Sequence, residues 1–454
     1  MRRHVLIGRF GAADTSLIAT DSSEYATDLQ FVRANKRFDF GVGDALKDLT
    51  DMDIYPDEIG VDLMILAAMI HAADTRISRA SESQDAWTRE IRLVVPVSQP
   101  TLWMGARSTL RTMLNFLSGD RWVFDFRARP EGFEATVPAE PLVYVKPAFN
   151  GVSLFSGGLD SLIAAIDSLE DGRNPLFVSH AGEGAVSAAQ EALFRLLEAQ
   201  YPKRAFRRLR IWMNFPHGIV EGSESDDSTR GRSFLFFASA ALAASGFDNG
   251  CRIQVPENGL IALNVPLDPL RLGSLSTRTT HPFYIGRWNE LLKHLGIKAM
   301  VENPYWDKTK GEMVRDCVNP TLLQKLVPVS LSCASPSKAR WAGHSTEHCG
   351  YCLPCLIRRA SLLGGLGTPD PTTYTVADLA AAPLKASEAK GIQARSFQIA
   401  INRLKRRPEL ASLLVHKPGP LTDESADRQE RLGQVYLRGM LEVGNLLQHV
   451  KTEP

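Results

Sequence analysis

The chain has 454 residues, room for two or three domains, and its 44% apolar and 23% charged residues are ordinary for a globular protein. Its 52 basic residues are balanced by 51 acidic ones, which excludes a whole-protein electrostatic grip on nucleic acid and leaves only local basic patches. The start, MRRHVLIGRFGAADTS, lacks the sustained apolar core of a signal peptide, and the longest apolar run (63–70) is too short to span a bilayer, so a cytoplasmic protein without a membrane partner is expected.

Residues 1–150 read as a separate α+β domain. VDLMILAAMIHAADTRI (61–77) repeats apolar residues at helical spacing, and REIRLVVPV (89–97) and RWVFDFRA (121–128) read as strands around a helix over 102–117. A proline-bearing connector, 137–151, follows. From 151 the pattern becomes strand, turn, helix, repeated: strands at 151–156, 174–182 and 206–215 precede helices at 159–170, 185–200 and 232–246, and 251–259 opens a fourth unit. This alternation predicts an α/β fold with a doubly wound parallel sheet, whose ligands sit beyond the carboxyl ends of the strands. Residues 361–454 read as a charged helical region. Its NRLKRRPEL (402–410) is either a solvated basic face or an RNA contact, and direct nucleic-acid binding is not expected.

GVSLFSGGLDSLIAAIDSLE (151–170) is the most informative stretch. Ser156-Gly157-Gly158 separates an apolar strand from a helix that starts near Leu159. Glycines permit positive φ and bare the backbone, so loop N–H groups and the positive helix end can converge on a phosphate. Ser156 and Ser161 can donate to phosphate oxygens. Asp160 would repel a phosphate unless a cation intervenes, which assigns it to Mg²⁺. No Walker lysine follows, so this is not the GxxxxGK[ST] loop.

Of six cysteines, Cys333, Cys349, Cys352 and Cys355 fall within 23 residues, the last three as CGYCLPC. Thiolates at this spacing can wrap one tetrahedral Zn²⁺ in a closed, structural site. An iron–sulfur cluster satisfies the spacing too, and His344 or His348 could replace a thiolate. Cys251 and Cys317 read as ordinary buried thiols. Several residues have two readings. Phe155 touches adenine or fills the core. Arg230 and Arg232 hold phosphate or carboxylate, or simply begin a helix. Glu257 and Asn258 read a purine-like edge or form a PENG turn. Thr280 and His281 bind substrate or shuttle a proton, or are satisfied loop residues. Lys308 and Lys310 neutralise a departing pyrophosphate or cap a solvated helix.

The SGGxDS stretch resembles the loop of the PP-loop ATP pyrophosphatases, which cleave ATP between the α and β phosphates to adenylate an oxygen of their substrate. Followed by C…CGxCxxC, it resembles the 7-cyano-7-deazaguanine synthase (QueC) family over roughly 151–360. RGRSFLFFASAALA (230–243) and DKTKGEMV (307–314) match further family segments, with Ser233 where Asn is usual. The longer, QatC-type relatives of anti-phage operons share the extra length. Departures are SHAGEG (179–184) in place of Tyr-Gly-Gln, the distant Cys333, and the segment 256–282.

The resemblance implies a PP-loop domain over 151–360 carrying a zinc module at 333–355. It implies ATP, Mg²⁺ and Zn²⁺ as cofactors, and nucleotide contacts from Phe155, Ser156, Gly157, Gly158, Leu159, Asp160, Ser161 and His180. The catalytic set it implies is Asp160, Ser161, Arg232 and Lys310. The implied reaction is adenylation of a 7-carboxy-7-deazaguanine-type carboxylate and transfer to an amine, either ammonia or an amine on an operon partner protein. In QueC enzymes a second ATP then dehydrates the amide to a nitrile. Remaining alternatives are nitrile synthesis for queuosine-type products, a sulfur-transfer or tRNA-modifying enzyme using Cys251 or Cys317, and a nucleotide-gated scaffold.

Overall fold

The computed structural model describes residues 2–33, 37–83, 85–141, 149–182, 184–226, 228, 230–267, 278–343 and 346–454. Residues 142–148 of the connector 137–151, residues 268–277 of the segment 256–282, and His344 lie outside the described residues.

Two all-parallel sheets organise the chain. The first contains β1 (Arg3–Arg9), β2 (Glu24–Gln30), β3 (Glu90–Val97) and β4 (Arg121–Ala128) in the order β2-β1-β3-β4. Arg3 lies opposite both Glu24 and Glu90, and Glu90 opposite Arg121. An α+β arrangement was expected here. The region is instead parallel α/β, because helices Glu58–Arg76 and Pro100–Ser118 carry the crossovers β2 to β3 and β3 to β4.

The second sheet contains β5 (Val152–Leu154), β6 (Leu176–Ala181), β7 (Arg207–Trp212), β8 (Cys251–Gln254) and β9 (Ala299–Glu302), ordered β7-β6-β5-β8-β9. Helices Leu159–Glu170, Gly184–Gln200 and Arg232–Ser245 link the first four strands, as the alternating pattern predicts. The order reverses between β5 and β8. A doubly wound sheet opens its ligand crevice at that reversal, beyond the strands' carboxyl ends.

Helix Glu58–Arg76 joins the two halves. Its Asp57 cap accepts from Gly60 N at 2.6 Å, and the helix is buried almost all round, which requires neighbours on both sides. It runs antiparallel to Arg232–Ser245. Asp57 N donates to Ser245 Oγ (3.2 Å) at one end, and Gly231 N donates to Asp74 Oδ2 (2.7 Å) at the other. Leu66 and Phe31 therefore share one core with Leu154, Val178 and Phe234 of the second half. The other face of the second sheet buries Leu162, Phe177 and Leu193. A third core forms where helices Ala389–Arg406 and Ala426–Leu446 enclose Leu260 and Leu356.

Asp74 also anchors a buried charge cluster. Its Oδ1 accepts from Arg79 (3.2 Å) and Arg89 (3.1 Å), while Asp120 Oδ2 accepts from both at 2.7 Å. Burial opposes its ionisation, but the two arginines outweigh it and hold the carboxyl below its usual range. Asp74→Ala leaves these arginines undercompensated and is expected to cost about 3–5 kcal/mol in urea unfolding. A loss below about 1 kcal/mol would contradict this account.

Candidate functional site

β5 ends at Leu154, but Phe155 N still donates to Val178 O at 2.8 Å. The Phe155 ring points into the core, 5.4 Å from Phe177, and is fully buried. It is therefore not an adenine contact, because the alternation of the strand turns it inward.

The chain then corners. Gly157 has φ +79°, and a Cβ there would lie 2.9 Å from Gln190 Cγ. Only glycine satisfies both demands. Gln190 Nε2 donates to Ser156 O at 3.2 Å and fixes the corner. Gly158 N donates to Ser156 Oγ (3.4 Å), and Ser156 Oγ lies 3.2 Å from Ser161 Oγ. Two further bonds come from the segment before the cysteines: Leu331 N donates to Gly157 O (2.9 Å), and Ser332 Oγ accepts from Leu159 N (3.1 Å).

Beside this corner lies a cavity of about 360 Å³, within the range of small-molecule sites. Ser156, Gly158, Leu159, Asp160, Ser161, Arg232, Glu257, Thr280 and Lys310 all line it, although the sequence spreads them over 155 positions. The sheet reversal brings the ends of β5 and β8 together, and helix Lys310–Arg315 closes over them.

Asp160 and Lys310 form a buried ion pair at 2.9 Å. Asp160 Oδ2 also accepts from Asn258 N (3.1 Å) and Nδ2 (2.7 Å). Burial alone would raise the Asp160 carboxyl; Lys310 and the Asn258 donors outweigh it and hold it below the usual range. The Lys310 ammonium thus compensates the Asp160 charge within the protein itself. Glu257 responds oppositely. Burial and the neighbouring Asp160 charge push its carboxyl up to about 8, against the pull of Lys310.

Glu257's folded pKa exceeds its unfolded value, so its protonated form stabilises the fold below about pH 4.5, and that stability is lost as pH rises through about 8. Glu257→Gln is expected to flatten stability across this window, removing at most about 1.4 kcal/mol per pH unit in parallel urea titrations. Identical profiles for the two proteins would contradict it.

Five more expected ligand contacts are corrected by the geometry. Asn258 is fully buried, and its Oδ1 caps helix Gly259–Leu263 by accepting from Ile261 N (3.1 Å) while its Nδ2 serves Asp160. No edge remains to read a purine. His281 is buried and does not line the cavity; its Nδ1 accepts from Phe283 N (3.2 Å), and burial pushes its pKa down to about 3. Arg230 turns away, donating to Ser118 O (2.8 Å) and stacking on Trp87. Lys308 pairs with Asp316 at 3.1 Å. His180 does not line the cavity either. Its Nδ1 accepts from Arg232 Nε at 3.1 Å, and burial followed by the Arg232 charge pushes it down to about 3, so a neutral imidazole positions Arg232. Sequence reasoning missed Phe236 and Ser332 in the lining. Phe236 stands four residues after Arg232 on one helix, a spacing that signals a shared face; Ser332 has no signal beyond preceding Cys333.

The Sγ atoms of Cys333, Cys349, Cys352 and Cys355 lie within 4.8 Å of one another, with Cys333–Cys352 and Cys349–Cys355 both at 3.9 Å. A tetrahedral zinc with bonds near 2.3 Å needs edges of about 3.8 Å, so the cluster can hold a zinc ion. Cys352 occupies the N-cap position of helix Leu353–Gly365 and Cys355 sits in its first turn, where the helix end favours thiolates. His348 is not in the cluster; its Nε2 accepts from Ser332 N at 3.1 Å. Cys251 and Cys317 stand apart, both pushed up to about 12 chiefly by burial. Among the described residues no helix is long and apolar enough to cross a membrane.

Two peripheral regions steady the cavity's cations. Gly231, bonded to Asp74 of the first half, immediately precedes Arg232. Thr309 and Glu312 form a capping box around Lys310, and Glu442 of the C-terminal helix accepts from Thr309 Oγ1 and from Gly311 N (3.2 Å). No protein-family model matches this sequence, and no curated protein matches it.

Proposed function

We propose that the chain is a QueC-like, PP-loop ATP-dependent enzyme that adenylates a deazaguanine-type carboxylate and passes it to an amine. The observation that carries this reading is the Ser156–Ser161 corner, placed at the sheet reversal beside a cavity holding Arg232 and Lys310. At that corner the hydroxyls of Ser156 and Ser332 accept the N–H groups of Gly158 and Leu159, the places phosphate oxygens would take.

In the proposed first step a substrate carboxylate oxygen attacks the α-phosphorus of ATP. The new O–P bond forms as the α–β bridging bond breaks, giving an acyl adenylate and pyrophosphate. The loop N–H groups, Arg232 and Lys310 receive the departing charge. A neutral amine then attacks the acyl carbon, AMP leaves with the C–O bonding pair, and the amine's proton passes to solvent. Asp160 holds Lys310 and Asn258 in place. Glu257 and Asp160 are the cavity carboxylates suited to Mg²⁺, which when bound supplies charge neutralisation at the phosphates. Phe236 and Val186 offer apolar surface for a flat ring. Against the sulfur-transfer alternative, neither Cys251 nor Cys317 lines the cavity, and burial keeps both protonated.

The test is ATP–pyrophosphate exchange with Mg²⁺ and 7-carboxy-7-deazaguanine, followed by mass spectrometry with either ammonia or an operon neighbour as acceptor. Exchange dependent on the carboxylate supports the reading. Its absence from folded, zinc-loaded protein removes it. The acceptor in the product separates small-molecule synthesis from protein modification.

A further inference from the structure

The C-terminal region carries a second, larger concavity with a chemistry unlike the first. It encloses about 1140 Å³ between the end of helix Ala389–Arg406 and the chain's last residues. Six cations line it: Arg395, Arg403, Lys405, Arg406, Arg407 and Lys451. All six are exposed. No acidic and no aromatic side chain is among its lining residues. Arg395 Nη1 donates to Thr452 Oγ1 at 3.3 Å, and among the described residues no ion pair joins any of the six to a carboxylate.

We propose that this cleft grips the phosphodiester backbone of double-stranded nucleic acid without reading its sequence. The balanced totals of the chain had argued against such a partner, but balance is global and this cleft is local. Three features point to a duplex backbone. Arg395 and Arg406 are eleven residues apart on one helix, about 16 Å, which matches about five phosphates of one strand of a duplex. Four of the six cations are arginines, whose planar forks fit phosphate oxygens bidentately. The cleft has no aromatic platform, so it lacks the stacking that single-strand binders rely on. Part of the charge lies in the last turn of the helix, where it also complements the helix dipole. That role does not require Arg407 or Lys451 to face the same concavity.

The test is fluorescence anisotropy with the full chain and labelled 20-base-pair duplexes of two unrelated sequences, from 50 to 200 mM NaCl. Both duplexes are expected to bind alike at 50 mM, with log affinity falling against log salt at a slope between about −3 and −5. The triple variant R403Q/R406Q/R407Q should lower the slope's magnitude by about 2–3 while zinc content and Tm stay unchanged. These surface changes leave the cavity untouched, so binding is read whether or not the protein turns over ATP. No duplex binding at 50 mM salt, or equal binding by the triple variant, overturns the proposal. Tighter binding of a glutamate decapeptide, an anionic vesicle or a single strand than of the duplex overturns it equally.

Discussion

Lys310→Met is expected to destabilise the protein by about 3–5 kcal/mol and to lower ATP–pyrophosphate exchange by about 10²–10³-fold. Lys310 and Asp160 are 4% and 5% exposed, so their charges are removed from water and compensate one another at 2.9 Å. Methionine fills much of the lysine's volume but leaves the Asp160 carboxylate buried with only the Asn258 donors. Asp160→Asn strands the ammonium in the same way. The double variant D160N/K310M removes both charges together and is expected to recover most of the lost stability, because a buried pair replaced as a unit is close to neutral. It should not recover exchange, since the cation facing the pyrophosphate is gone. Stability regained without exchange separates the catalytic contribution of the Asp160–Lys310 pair from its structural one. A double variant with full exchange would show that Lys310 serves the fold alone.

Removal of zinc is expected to have the larger effect. Metal analysis should find one zinc per chain, and a chelator or Cys355→Ser should release it. Structural zinc sites bind with an apparent free energy of about 10–16 kcal/mol near neutral pH, and that binding is coupled to folding of their ligand loops. Here the ligand loop begins with Leu331 and Ser332, which hold Gly157 O and Leu159 N. His348, next to Cys349, in turn accepts from Ser332 N. Loss of the metal should therefore loosen the glycine corner as well as the module, with a fall in Tm of 10 °C or more and at least a tenfold loss of ATP affinity. The two losses should follow the same chelator titration. A metal-free protein with unchanged Tm and nucleotide affinity would sink this coupling.

Much of this was legible along the chain. Apolar runs alternating with amphipathic stretches marked β5 to β8 and their helices, because strand and helix periods differ and each run here is cleanly one or the other. Helix Leu159–Glu170 begins where the glycine pair ends, since those residues carry a backbone requirement that is local. The four cysteines were readable for the same reason: a shared ion constrains ligand type and spacing. Less legible were residues whose role depends on the direction a side chain takes. Asn258 and His281 sit in polar turns that resemble ligand loops, yet each is consumed by a helix cap. Phe155 lies one residue from the glycine corner but on the inward side of its strand.

Local chemistry in the sequence was thus sufficient for the strand–helix order, the Ser156–Ser161 turn and the Cys₄ cluster, because each depends on residues within a few positions of one another. Folding in three dimensions decided the remainder. It showed that residues 1–150 share the core of the second sheet through helix Glu58–Arg76, and it brought Lys310 onto Asp160 across 150 positions. It also set distant segments against residues of the cavity or their chain neighbours: Asp74 beside Gly231, Glu442 around Gly311, and Ser332 on Leu159. Pairings over such separations leave no periodic trace in the chain, since they depend on which faces meet only after the sheets have formed.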